Sequence, residues 1–89
     1  MSEASSQKVL CSIYRSPRKE GMYIYVLKKD GLDKVPEPLL KQMGSPGHVM
    51  DLLLTPDRKL ARVDVLDVLR DLDDKGFYLQ MPPAQGHPV

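Results

Sequence analysis

The sequence has few of the residues that build a disulfide framework, a multi-thiolate metal site or a membrane span. It contains one cysteine, one phenylalanine and no tryptophan among its 89 residues. A single thiol excludes an internal disulfide and any zinc site made of several cysteines. The densest apolar run, Met22 to Leu27, is far shorter than the ~20 residues that a membrane-spanning helix needs. Met1 to Gln7 are small and polar and contain no apolar core, so we expect no secretory signal and a cytoplasmic location.

An excess of charge of one sign is also missing. Thirteen Lys and Arg residues face twelve Asp and Glu residues, which gives a net charge of +1. Bulk charge therefore indicates neither a nucleic-acid partner nor a membrane surface. Hydrophobic residues make up 42% and charged residues 28% of the chain, which is typical of a globular protein, and the length suits one small domain.

Two apolar segments in the first third of the chain predict an antiparallel hairpin. Lys8 to Tyr14 and Met22 to Lys28 are rich in valine, isoleucine and tyrosine, which favour strands. The loop between them is too short for a parallel crossover. Both segments are apolar on both faces, so we expect each face of the sheet to be covered at least in part.

The remainder of the chain predicts two helices and two further strands. A short helix enters through Pro36 and ends at Gly44, and a longer one runs from Asp64 to Lys75 with Asp64 as its N-cap. Val49 to Leu54 and Phe77 to Met81 predict the third and fourth strands. The element order is therefore β-β-α-β-α-β, in a single α+β domain over residues 8–83 with disordered ends at 1–7 and 84–89.

Four short motifs follow one another along this predicted domain. They are Cys11-Ser-Ile-Tyr-Arg-Ser16, then Tyr23-Ile-Tyr-Val26, then Val35-Pro36-Glu37 with Gly44 and Pro46, and finally Gly76-Phe77-Tyr78-Leu79-Gln80 with Pro82-Pro83. Together they resemble the YcgL family of small bacterial proteins of unassigned function. The resemblance implies a four-stranded sheet between helices, an α/β/α sandwich. It supplies no mechanism, but family genes often lie beside one for a ribonuclease D-like exonuclease, which implies a link to RNA processing.

Candidate catalytic residues are few. Cys11 as a nucleophile would need a nearby base and an electropositive setting, and its place inside a strand favours packing instead. His48 stands at the start of the third strand, after a loop, where a solvated side chain without a partner is the simpler interpretation. Two distant histidines and one cysteine lack metal-ligand spacing, so we expect no metal, no cofactor and no enzymatic activity. An enzyme that uses His48 or Cys11 stays open as a third hypothesis.

Five basic residues are the candidate contacts for a partner or for nucleic acid: Arg15, Arg18, Lys19, Lys28 and Lys29. If the first two strands pair, the first three residues lie at one end of the hairpin and the two lysines at the other. We therefore expect two small basic patches and no continuous stripe.

Three tyrosines, Tyr14, Tyr23 and Tyr25, lie on the same two strands. They would stack on bases if a sheet face is open, whereas a covered sheet makes them core residues. We prefer a monomeric, non-enzymatic binding or adaptor module with a protein partner and no membrane contact. The alternative is a weak RNA-binding protein linked to RNA processing. Two helical connections leave the strand order open.

Overall fold

The computed structural model describes residues 8–60 and 63–82. The predicted disordered ends lie outside the described residues. The secondary-structure elements are β1 (Val9–Arg15), β2 (Tyr23–Leu27), α1 (Glu37–Met43), β3 (Gly47–Leu54), α2 (Val65–Asp74) and β4 (Phe77–Gln80). This confirms the predicted order of strands and helices and the α+β class.

The four strands form one antiparallel sheet in the order β3-β1-β2-β4. β1 and β2 pair as the predicted hairpin, with Ile13 opposite Tyr25. The two later strands then add to opposite edges of this hairpin, β3 beside β1 and β4 beside β2. β3 and β4 are therefore the edge strands of the sheet.

Helix α2 covers one face of the sheet. Asp64 caps its N-terminus as predicted, because its Oδ1 accepts a hydrogen bond of 3.0 Å from the Leu66 amide. Val65, Val68 and Leu72 form the buried stripe of the helix. Successive side chains of a strand point to opposite faces of the sheet, so only every second strand residue faces α2. The buried strand residues of this core are Cys11, Ile13, Tyr25 and Leu54.

Helix α1 and the turn before it cover part of the other face. Val35 and Met43 are buried there against Met22, Ile24 and Val26 of the β2 segment. The two-sided apolar pattern of β2 is thus explained by a helix on each face, which confirms the α/β/α arrangement over the middle of the sheet. None of the helices within the described ranges is long and apolar enough to cross a membrane.

Ser16 connects the hairpin to the end of α1. Its hydroxyl donates a hydrogen bond of 2.6 Å to the carbonyl of Met43, and its oxygen accepts from the amides of Arg18 and Lys19 at 3.1 and 3.0 Å. Met43 is the last residue of α1, so its carbonyl has no partner inside the helix. Gly44 follows with φ 79°, the left-handed conformation that ends many helices. The side chain of Ser16 thus satisfies a buried helix end.

Candidate functional site

Helix α1 and the turn before it do not cover β3. Leu10 of β1 and Leu53 of β3 are opposite each other in the pairing register, and they are 47% and 45% exposed. We call this part of the molecule the β1–β3 flank: the outer half of the sheet formed by β3 and the adjoining residues of β1. It carries both the polar cluster and the apolar side chains described below.

An irregularity in β3 determines where His48 lies. Ile13 pairs with Met50, but the next residue, Tyr14, pairs with His48, so Val49 is an extra residue in the strand. Such a bulge re-aims the side chains beyond it. It brings His48 to the face of Tyr14, where the two rings meet edge to face at 5.4 Å between centroids. His48 lies at the start of β3, as predicted. The interpretation of a side chain without a partner is wrong, because His48 is hydrogen-bonded to Asp51.

Asp51 is the centre of a polar cluster on the same face. Its Oδ1 accepts hydrogen bonds from the Ser12 hydroxyl at 2.7 Å and from His48 Nε2 at 2.8 Å. Its Oδ2 accepts from the Lys28 ammonium at 2.7 Å. Lys28 belongs to the segment after β2, so its side chain reaches across β1 to make this bond. The carboxylate of Asp51 therefore links β3 to β1 and to the segment that follows β2.

These contacts determine the protonation state of the cluster. The hydrogen bond from Lys28, with those from His48 and Ser12, holds the pKa of the Asp51 carboxyl well below its ordinary range. The same hydrogen bond and the charge of Asp51 raise the pKa of Lys28. An ionised carboxylate can only accept, so Nε2 of His48 carries the proton in this bond. The Ser12 hydroxyl donates to Asp51 and not to His48, which differs from the nucleophile–base pair of a hydrolase.

Cys11 lies on the opposite face, under α2. Its side chain is 0% exposed, and burial is the main cause that raises the pKa of its thiol to about 11. The negative charge of Asp51 adds to this shift. A nucleophilic cysteine needs a lowered pKa and access to its substrate, so this environment favours the packing role. Across the described residues, no three His, Cys, Asp or Glu side chains are grouped closely enough to hold a metal ion.

The five basic residues predicted as contacts lie at two ends of the hairpin. Arg15 ends β1 and Arg18 and Lys19 belong to the turn, whereas Lys28 and Lys29 follow β2. The ends of β1 are about 20 Å apart at 3.3 Å per residue. This placement matches the two separate patches expected from the hairpin. Lys28 is engaged with Asp51, so it belongs to the polar cluster as well.

The three tyrosines have different environments. Tyr25 is buried under α2 and its ring meets that of Tyr78 edge to face at 5.8 Å, so the core role is confirmed for it. Burial raises the pKa of the Tyr25 hydroxyl, which donates to Gln80 Oε1. Tyr14 and Tyr23 are only half-buried. The sheet therefore does not hide all of its aromatic rings.

Sequence reasoning missed Ser12 and Asp51 as members of a cluster. One local signal was present, because Asp51 is the only polar residue between Val49 and Leu54. A charged residue inside an apolar strand is a candidate for an ion pair, and Lys28 and His48 are the partners of Asp51. The partners were not predictable, since they depend on the strand order and on the bulge at Val49.

The fold and this flank define a small α+β domain protein with an open edge strand. The chain belongs to the YcgL domain family, whose model matches residues 11–83. A YcgL domain-containing protein of Pseudomonas putida (strain GB-1) is 60% identical over 78 residues, which cover 88% of this chain and 80% of the relative. Proteins of the same name from Pseudomonas fluorescens (strain SBW25) and Pseudomonas aeruginosa (strain LESB58) are 56% identical over 78 residues, with the same shares of each chain covered. The family resemblance of the sequence motifs is therefore confirmed.

Proposed function

We propose that this YcgL domain protein is a monomeric, non-enzymatic binding module of the cytoplasm, and that an extended segment of a partner protein adds to its sheet along β3. The observation that carries the proposal is the character of β3. It is an eight-residue edge strand with apolar side chains exposed on both faces. An exposed, apolar edge strand is a template for pairing with another chain.

The hydrogen bonds of the hairpin indicate which groups of β3 point outward. The Lys28 amide donates to the Leu10 carbonyl, so the backbone groups of Leu10 are directed at β2. Hydrogen-bonding direction alternates along an antiparallel strand, so Val9 and Cys11 bond toward β3. Their partners in β3 are Leu54 and Leu52. The backbone groups of the alternate residues, Asp51 and Leu53, are therefore directed at the outer edge, where a partner strand would bond. The Leu53 carbonyl accepts a long hydrogen bond of 3.4 Å from Arg58 Nη1 there, which an added strand would replace.

The two edges of the sheet differ in their protection. β4 has four residues and Pro82 follows shortly after it, which limits strand addition on that side. β3 has eight residues, and its flanking prolines, Pro46 and Pro56, lie outside the strand. Short strands, prolines and bulges are common means of protecting an edge. β3 has neither of the first two, and its bulge at Val49 leaves the stretch from Met50 to Leu54 regular.

The side chains along β3 suit an apolar partner segment. Leu53 is 45% exposed on the α1 face beside Leu10, and Val49 and Met50 are 45% and 44% exposed nearer the bulge. A partner strand that presents apolar side chains on both faces would cover these groups. Asp51 is the one charge in the middle of the strand, and Lys28 compensates it. The ion pair reduces the charge repulsion that would otherwise oppose pairing at this position.

The test is affinity capture of the partner from the native bacterium, with the tagged wild-type chain and with a Met50→Lys, Leu53→Lys double variant. The two lysines place a charge on each face of the edge without filling the core. Leu66→Lys is the matched control, because Leu66 is 55% exposed on α2, away from β3. Each capture is read by mass spectrometry with and without nuclease, after thermal unfolding has verified that both variants fold.

The proposal predicts a nuclease-resistant partner that the double variant loses and the Leu66→Lys control retains. A partner that the folded double variant retains in full would refute the assignment to β3. Failure of the wild-type chain to retain any partner across a range of salt concentrations would refute the proposal that it is a binding module.

RNA binding is the second candidate, and one observation favours it. Arg15 is opposite the half-buried ring of Tyr23 in the strand register, next to the turn that holds Arg18 and Lys19. A ring beside cationic groups is a feature of single-strand binding surfaces. This candidate predicts amide shift changes at those residues and at Lys28 and Lys29 on addition of short RNA, with an affinity that falls as salt rises. An unchanged spectrum at low salt would exclude it.

A further inference from the structure

The turn between β1 and β2 forms a wall of a polar pocket of about 420 Å³. The pocket is lined by turn residues 16–18 and 20–21 and by Arg15 and Tyr23 at the ends of the two strands. Among the described residues of this lining, Arg15 and Arg18 are cationic and Glu20 is acidic. The pocket is therefore large enough for a small ligand, and its charge favours an anion.

Arg15 belongs to a row of three side chains that crosses the sheet beside this pocket. It is opposite Tyr23 of β2 in the strand register, and Tyr23 is opposite Gln80 of β4. Residues directly opposite each other in antiparallel strands place their side chains on the same face, and Tyr23 packs against the core on the α2 face. The row therefore presents a guanidinium, an aromatic ring and an amide on one face. Arg15 is exposed, and Tyr23 and Gln80 are half-buried.

The spacing of the row sets the length of a ligand that contacts all three groups. Neighbouring strands are about 5 Å apart, so the backbones of Arg15 and Gln80 are about 10 Å apart. A nucleoside monophosphate has a similar length from its phosphate to the far edge of its base. On the other side of Arg15 the register partner is Gly47. No heavy atom of the described residues lies within 4 Å of the position that a Cβ of Gly47 would occupy, so an anion reaches Arg15 without displacing a side chain.

The far end of the row offers a place for a flat, partly polar group. Tyr23 and Gln80 also line a groove of about 560 Å³ on the same face, whose apolar floor includes Ile13 and Leu52. The Tyr25 hydroxyl donates to Gln80 Oε1 at 3.0 Å and so fixes the position of the amide. The two N–H groups of that amide are donors for the edge of a base. The polar pocket and the groove adjoin at Tyr23, which lines both.

We propose that this row binds a nucleoside monophosphate group, with its phosphate at Arg15, its base on the ring of Tyr23 and the edge of the base at Gln80. Guanidinium groups bind phosphate through paired hydrogen bonds, and bases stack on aromatic side chains. A glutamine amide matches the hydrogen-bonding edge of adenine. The site does not involve the outer edge of β3, so it goes beyond the proposed partner site. The group is either a free nucleotide or the 5′ end of an RNA.

The test is an NMR titration of the full chain, labelled with ¹⁵N, with adenosine 5′-monophosphate (AMP). Adenosine and ribose 5-phosphate are titrated in parallel, because each lacks one of the two end groups. The proposal predicts shift changes with AMP at the backbone amides of Arg15, Gly21 and Tyr23 and at the side-chain amide of Gln80. It also predicts that AMP binds more tightly than either fragment. Equal affinity for adenosine, shift changes that map elsewhere, or no shift changes at millimolar AMP would overturn the proposal.

Variants of the row test the role of each group after thermal unfolding has verified that they fold. Tyr23→Leu should weaken AMP binding at least about five-fold, whereas Tyr23→Phe keeps the ring and should retain the affinity. Arg15→Gln should weaken AMP binding about two- to five-fold and leave adenosine binding unchanged. Glu20→Gln should strengthen AMP binding, because it removes a negative charge from the pocket.

Lys41→Gln is the matched control for Arg15→Gln, because Lys41 is an exposed cation on α1. It should leave AMP binding unchanged. An equal loss of affinity in the two variants would show unspecific attraction of charge and would overturn the site.

A short oligoadenylate with and without a 5′-phosphate distinguishes the two sources of the group. Tighter binding of the phosphorylated RNA than of AMP assigns the site to RNA ends. Binding of AMP without binding of the RNA assigns it to free nucleotides and counts against the RNA candidate. Both results support the site, whereas RNA that binds equally well with and without its 5′-phosphate would refute the role of Arg15 as the phosphate contact.

Discussion

Replacement of Ser16 by alanine should remove much of the stability of this domain. The hydroxyl of Ser16 donates to the carbonyl of Met43 at 2.6 Å, and Ser16 is only 5% exposed. A buried carbonyl left without its donor costs about 1–3 kcal/mol. The amides of Arg18 and Lys19, which donate to Ser16 Oγ, lie in an exposed turn. They donate to water in the variant, so they add little to the loss of stability. We therefore expect Ser16→Ala to lower the free energy of unfolding by about 2 kcal/mol.

Urea unfolding followed by circular dichroism measures this loss, which should appear as a lower midpoint with an unchanged slope. In a domain of this size it corresponds to a fall of about 8–16 °C in the melting temperature. Ser12→Ala is the matched control, because Ser12 is equally buried but its acceptor, Asp51, keeps bonds from Lys28 and His48. The control should lose clearly less stability. Equal losses in the two variants, or no loss in Ser16→Ala, would refute the capping role of Ser16.

Three further predictions follow from burial and charge. Leu54→Ala should lower the free energy of unfolding in urea by about 2–5 kcal/mol, because Leu54 is buried. Leu53→Ala, on the exposed face of the same strand, should change it by no more than about 0.5 kcal/mol. Similar losses in the two variants would contradict the assigned faces. The Cys11 thiol, with its pKa raised to about 11, should resist a thiol reagent at pH 8 until the chain is unfolded, and rapid labelling of the folded chain would contradict its burial. The pKa of Asp51 is lowered, so its ion pair with Lys28 stabilises the fold at neutral pH and is lost only in acid. Lys28→Met should therefore raise the pKa of Asp51 in a carboxyl NMR titration. An unchanged pKa would assign the shift to other groups.

Local sequence patterns were sufficient to predict most elements of the fold. Asp64 followed by an apolar stripe predicted α2 and its cap, and Gly44 predicted the end of α1, because capping and positive φ are properties of a few adjacent residues. The hairpin followed from the short loop between two β-forming segments. The apolar character of both faces correctly indicated that each face of the sheet is covered at least in part, and the helices that cover them were implied by the family resemblance.

The candidate site could be predicted only in part, because it depends on contacts between distant segments. Lys28 and Asp51 come from strands that are separated by β1, and several strand orders were compatible with the sequence. The bulge at Val49 moves His48 to the face of Asp51, and it is defined only by the pairing of β3 with β1. The two basic patches were predictable, since both belong to the hairpin.

Hydrogen exchange along β3 tests the central claim most directly. The amides of Asp51 and Leu53 are assigned to the outer edge, whereas those of Leu52 and Leu54 bond to β1. In the isolated chain, NMR should show rapid exchange at Asp51 and Leu53 and slow exchange at the other two. In the complex recovered from the native cell, all four amides should exchange slowly. Rapid exchange at Asp51 and Leu53 in that complex would show that the partner binds elsewhere and would contradict the account.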